Sequence, residues 1–258
     1  MLTRIGFAAR GVMYCLIGYL ALRSGRGEDG SGALAYLADG SGKLLLGLMA
    51  LGFLAYGIWR LSEALIDTEG HGSDAKGLIV RAGGAASGII HAGLAVVAAN
   101  LAFGRAGGAG REGAQQGAET ALAVPGGALL LGLIGLALIA TGAWQIVKAA
   151  RADFLRPLDG QAARRPWVIG LGRTGYFARG LVFLIMGWFL VKAGLAADAS
   201  QAGGMDAVLE SLSSGLRYAV ALGLLLFGVF SFVEACYRRI NDPDVLNRLK
   251  GAAQAARA

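Results

Sequence analysis

The chain has 258 residues, 55% of them hydrophobic and only 16% charged, with a mean hydropathy of +0.57 and a formal net charge of +7. Soluble domains carry about 25% charged residues, so the deficit points to lipid as the solvent. The two cysteines, Cys15 and Cys236, are isolated and belong to no CxxC pair, so a zinc site, a thioredoxin-like centre and a disulfide framework lack support.

A membrane span needs roughly 20 mostly apolar residues. The first apolar segment has a short charge-free core at 11–22, lengthened by residues 5–10 at the cost of Arg10 near one end. The second covers 44–59. The third, 82–104, and the fourth, 120–147, are free of charged side chains. The fifth has a short core at 180–191, lengthened by 174–179 with Arg179, and the sixth covers 218–233. An arginine near a helix end can extend its stem toward the headgroups. Short, weakly amphipathic stretches at 32–38, 118–123 and 205–212 precede the return helices. They read as interfacial half-turns capping the bundle, or as a lid over a cavity. In the tail, Asp242-Pro243 is a good N-cap and first-turn pair, and Val245, Leu246 and Leu249 share a face, so a short surface helix is expected.

The segments repeat. Arg4-Ile5-Gly6-Phe7-Ala8-Ala9-Arg10-Gly11 opens the first, Arg81-Ala82-Gly83-Gly84-Ala85-Ala86-Ser87-Gly88 the third, and Arg173-Thr174-Gly175-Tyr176-Phe177-Ala178-Arg179-Gly180 the fifth. A second phrase recurs as Tyr56-Gly57-Ile58-Trp59, Thr141-Gly142-Ala143-Trp144 and Phe227-Gly228-Val229-Phe230. The unit is a pair of helices used three times. Segments one and five therefore count as spans, because they align with the third. A cleaved leader would not recur twice further along, so the first segment reads as a retained helix. Two helices per unit make successive copies parallel. The expectation is an all-α membrane protein with six transmembrane helices, three parallel two-helix repeats in a pseudo-threefold bundle. The copies are residues 1–72, 73–160 and 161–240, followed by a tail at 241–258.

Lysine and arginine set the orientation. The side holding the N-terminus, the 2–3 and 4–5 connections and the C-terminus carries 17 of the 24 basic residues and is net +8, against −1 opposite. Both termini are expected to be cytoplasmic. The basic balance is the positive-inside rule, and no nucleic acid is needed to explain it.

This pattern resembles the domain-of-unknown-function 1206 family, bacterial integral membrane proteins built from three paired-helix repeats. The likeness is carried by the Arg-x-Gly-x-x-Ala-Arg-Gly openings at 4–11 and 173–180, by Gly32-Ala33-Leu34-x-x-Leu37, and by Tyr56-Gly57-x-Trp59-Arg60-x-x-Glu63-Ala64. Val124-Pro125-Gly126-Gly127 ahead of the fourth helix adds to it. It covers residues 4–240 and implies the fold and a place in the bacterial inner (plasma) membrane. It implies no activity. The middle copy departs from the pattern: Ser87 replaces the second arginine, Lys148 stands opposite Glu63 and Glu234, and Gln145 and Ser231 stand where the first copy has Arg60.

Arg10 lies about 9 Å into the membrane from residue 4, and Glu63 on the returning helix reaches a similar depth. Arg179 and Glu234 repeat that arrangement, so the expectation is two interhelical pairs, Arg10 with Glu63 and Arg179 with Glu234. Lys148 answers one of the glutamates across a repeat boundary. Independent snorkelling or an ion path are the other readings. Gly11 with Gly18, and Gly180 with Gly187, are helix-packing glycines on common faces. His91 is either a hydrogen-bonded packing residue or a proton relay, and Asn100 reads as interhelical glue. H-E-x-x-H, P-loop and G-x-S-x-G motifs are missing; Asp29 and Asp39 open D-G-S-G runs with aspartate where a rhomboid-type serine motif needs glycine. No catalytic residue, metal or cofactor is expected. The partners are the lipid bilayer and a membrane-protein partner or second copy, in a non-enzymatic structural or interaction module; the alternative is a small transporter or channel along the pseudo-threefold axis.

Overall fold

Each long apolar run folds as a helix, since a backbone in lipid has to satisfy its own hydrogen bonds. The computed structural model describes residues 2–24, 30–38, 42–67, 70–105 and 113–239. Over these run α1 (Leu2–Ser24), α2 (Gly30–Tyr36), α3 (Lys43–Ile66), α4 (Ala75–Ala102), α5 (Gly113–Leu122), α6 (Gly127–Arg151), α7 (Gly160–Ala163), α8 (Pro166–Ala196), α9 (Met205–Ser211) and α10 (Ser214–Tyr237). Six of them, α1, α3, α4, α6, α8 and α10, are long and apolar enough to cross a membrane. The expected tail helix, and Asp29 and Asp39, lie outside the described residues.

Two boundaries differ from the hydropathy pattern. The fourth run breaks after Leu122, because Pro125 has no N–H to donate and Gly126 takes φ +79. Residues 120–122 therefore finish α5, and α6 begins at Gly127. The fifth run begins earlier than its apolar core, at Pro166 in the first turn, where a fixed φ favours initiation.

The end where α1 starts and α10 stops is here the basal end, and the opposite one the distal end. At the distal end α2, α5 and α9 each precede a return helix; α2 packs on α1 and α4, α5 on α6, and α9 on α8 and α10. At the basal end the α6–α8 connection pairs with the end of α10: Asp159 N–H donates to Tyr237 O at 2.8 Å and Arg239 N–H to Pro157 O at 2.8 Å. Phe154 from that connection is buried, stacked on Tyr176 at 5.3 Å. Asp67, just past α3, accepts from the backbone N–H groups of Gly72 at 2.8 Å and His71 at 2.7 Å. These bonds, Gly72's first, hold its carboxyl below the usual carboxylate range.

The closest packing does not follow the hairpins. α1 lies along α10, α3 along α4, and α6 along α8, so each even span packs on the odd span of the next copy, with the last returning to the first. The recurring phrases explain this. A Cβ built on Gly11 would lie 3.0 Å from Gly228 O, one on Gly57 would lie 3.1 Å from Gly88 O, and one on Gly142 would lie 2.7 Å from Gly180 O. Equivalent glycines cross at three equivalent joints, which is the pseudo-threefold relation expressed as contacts. Gly18 extends the first joint against Ala221, and Gly187 the third against Gly135.

Candidate functional site: a polar cluster beside an open joint

One turn basal of each glycine crossing, the helices carry their polar side chains into the bundle. At the α10–α1 joint the Arg10 guanidinium donates from Nε to Ser231 Oγ at 3.1 Å and pairs with Glu234 through Nη2. Both partners are buried. At the α3–α4 joint Ser87 replaces the arginine, and Arg60 on the other helix pairs with Glu63 instead. That glutamate faces α4, where a Cβ on Gly84 would lie 3.4 Å from its Oε2, and His71 approaches its Oε1 at 3.5 Å. At the α6–α8 joint Arg179 donates from Nη1 to Gln145 Oε1 and from Nε to Tyr14 Oη, each at 2.9 Å. Lys148 lies with its ammonium 5.5 Å from the centre of the Tyr176 ring.

The partners are not those within each hairpin. Arg10 meets Glu234 and not Glu63, while Arg179 meets Gln145 and not Glu234. Lys148 forms no ion pair with either glutamate among the described residues. The reason is the joint geometry: facing positions come from neighbouring copies, so the residue opposite an odd-helix arginine belongs to the preceding even helix. Aromatic rings fill the space between. Phe227 lies between the two guanidiniums, 5.1 Å from Arg10 and 5.0 Å from Arg179, and Phe7 adds a face at 4.6 Å from Arg10. The first arginine of the opening phrase has its own task. Arg4 donates to Cys236 O, and Arg81 to Ala64 O and Leu65 O, so each caps the C-terminal end of the helix it packs on.

His91 is buried, with Nδ1–H donating to Ser87 O at 2.7 Å and the ring 4.4 Å from Tyr56. That bond leaves Nε2 as the acceptor, and it has no hydrogen-bond partner among the described residues. No carboxylate lies within ion-pair distance of it among the described residues. Asn100 is half-buried near the distal end of α4, and its side chain bonds no other helix among the described residues. Among the described residues no group of three or more His, Cys, Asp and Glu is placed to hold a metal ion.

The copies differ most in whether their two spans touch. α1 packs on α3, and α8 on α10, whereas α4 and α6 do not form a packed pair. The six spans therefore run α4–α3–α1–α10–α8–α6 as an arc open at one joint. Equivalent residues measure the opening. Met13 and Val182 are 6% and 0% exposed in their copies, while Ile90 at the same place is 60% exposed. Phe230 is fully buried, and its counterpart Trp144 is 53% exposed. Tyr56 and Phe227 are buried where Thr141 is exposed, and Gly6 and Gly175 are buried where Gly83 is exposed. Thr141, Trp144 and Lys148 are three and four residues apart and form one stripe on α6. The open face thus runs from apolar surface directly to Lys148.

Sequence inspection points to the middle copy without locating this site in it. Its signal is the joint occurrence of Ser87, Gln145 and Lys148 in one copy, which marks where the pattern changes but not which helices separate.

A family model, Domain of Unknown Function (DUF1206), matches the chain three times, at residues 5–67, 82–152 and 174–238. An uncharacterized protein of Bacillus subtilis (strain 168), YxxB, is 32% identical over 250 residues, which cover 92% of this chain and 90% of the relative. No solved structure matches the chain. With three matched copies, each holding one pair of membrane-capable helices, the chain belongs to the Domain of Unknown Function (DUF1206) family of multi-pass membrane proteins.

Proposed function

We propose that the protein is a non-enzymatic interaction module of the bacterial plasma membrane, with both chain ends cytoplasmic, and that the open joint between α4 and α6 receives another membrane component. The observation that carries this reading is the exposure of Ile90, Thr141 and Trp144, whose counterparts in the other copies lie inside a helix–helix interface. A surface shaped for a neighbour in two copies lacks one in the third. The excess of basic residues at the basal end supports the orientation. The space among the three joints is packed with Phe7, Tyr14, Phe53, Tyr56, Tyr176 and Phe227, so nothing there favours a path along the axis.

The test is a photoreactive residue in place of Ile90, compared with one in place of Leu222, which is exposed on α10 away from the joint. In native membranes the first should give adducts of a defined composition and the second should sample bulk lipid. Identical adduct profiles from the two positions would overturn the reading.

A further inference from the structure

The three joints are equivalent in backbone but not in charge, and the difference falls beside the opening. Glu63 and Glu234 each supply a carboxylate to an arginine. At the equivalent place in the α6–α8 joint stands Lys148, so Arg179 and Lys148 occupy one joint with no carboxylate within 4.0 Å of either among the described residues. Their donors are only partly used. Arg179 spends Nε on Tyr14 and Nη1 on Gln145, and Lys148 faces a ring. Gln145 is 4% exposed; its Oε1 is taken by Arg179, which orients Nε2 as a donor, and that buried amide nitrogen has no acceptor among the described residues. Two cations and an unspent amide inside a membrane protein need an anion, because unpaired charge and unmade hydrogen bonds are both costly there.

We propose that the open joint binds an anionic phospholipid, with its phosphate held by Lys148, Gln145 and Arg179 and its acyl chains along the exposed faces of α4 and α6. This rests on the reading of the joint as a binding surface. Phosphate supplies the missing negative charge and several acceptor atoms, and arginine and lysine are its usual protein ligands. The geometry favours a lipid source over a free ion. Lys148 is three residues from Arg151 at the basal end of α6, about 5 Å along the helix, which is close to headgroup level. The stripe continues toward the distal end as Trp144, Thr141 and Ala137, then Leu133, with Ile90 and Gly83 across the opening, and all are exposed. Polar ligands at the headgroup end and bare apolar surface beyond them match one amphipathic molecule entering sideways.

Trp144 reports on the site directly. In the full chain with Trp59, Trp167 and Trp188 replaced by Phe, its fluorescence is measured in equimolar phosphatidylglycerol–phosphatidylcholine vesicles with dibrominated chains on one lipid or the other. Brominated phosphatidylglycerol should quench more strongly, corresponding to about a five-fold preference for the anionic lipid at this position, the value of one cation near a membrane surface. Lys148→Gln should abolish that preference while leaving quenching by brominated phosphatidylcholine intact. Because Lys148 has no ion pair among the described residues, this variant keeps the packed joints, and Arg179→Gln serves as the second test. Equal quenching by both lipids in the parent would overturn the lipid site while leaving the joint open. No quenching by either would overturn the open joint itself. A preference that survives both substitutions, or one that millimolar inorganic phosphate removes at constant ionic strength, would also sink the proposal, the latter by assigning the site to a free anion.

Discussion

Arg10 has left water on every side, and its charge persists because Glu234 pairs with it while Ser231 and the faces of Phe7 and Phe227 take up the rest of the guanidinium. Removing one partner of such a pair strands the other, which typically costs about 3–5 kcal/mol. Arg10→Gln and Glu234→Gln should each lower stability by about that much, and the double variant should recover a coupling of about 1–3 kcal/mol, read by thermal or detergent unfolding in lipid nanodiscs. Arg10→Gln combined with Glu63→Gln should be additive. Additive losses for Arg10 and Glu234 would break the pairing. That Arg10 and Arg179 needed polar partners was legible from their place inside an apolar segment. The identity of those partners was not, since matching depth on two helices says nothing about which helices face each other. One clue was available: the middle copy loses its arginine at Ser87, and the first copy gains one at Arg60 where the others have Gln145 and Ser231. Those two changes compensate only if α3 faces α4, which is how the structure arranges them.

Helices in lipid gain nothing from hiding apolar surface, so glycine crossings decide which pairs form. The glycine periodicity of α1 and α8 was readable as a packing face, but a repeat of hairpins reads equally well with each face turned toward its own hairpin or the next copy. The break between α5 and α6 was blurred in hydropathy, which runs on through Leu122 and Val124, but legible in the separate stretch at 118–123 and in Pro125 with Gly126, which interrupt the backbone. The inner faces give a sharp test, because one position has two environments. A Cβ on Gly6 would lie 2.5 Å from Tyr56 Cβ, and one on Gly175 would lie 2.7 Å from Phe227 Cα, whereas Gly83 has nothing within 4 Å. Gly6→Ala and Gly175→Ala should each destabilise by about 1–3 kcal/mol through overpacking. Gly83→Ala should raise stability by up to about 1 kcal/mol, the helix-propensity gain alone. If Gly83→Ala cost as much as Gly6→Ala, α4 and α6 would have to be packed together in the membrane.

The arc of six spans joins its two halves through α1 and α10, the helices farthest apart in sequence, and leaves open the joint between helices that are neighbours in sequence. The covalent connection between α4 and α6 therefore carries little of the packing, and cutting it removes a tether rather than an interface. A protease site placed between Arg105 and Gly113 tests this along with the orientation proposed from the basic residues. Protease added outside intact spheroplasts should cut the chain, because that connection lies on the side opposite the basal end, and protease confined to inverted vesicles should not. After cutting, a tag on either half should still recover both from mild detergent, held by the Gly11–Gly228 crossing and the Arg10–Glu234 pair. Cleavage only in inverted vesicles would reverse the topology and leave the packing untouched. Cleavage followed by separation of the halves would instead refute the α1–α10 joint, on which the closure of the third repeat onto the first depends.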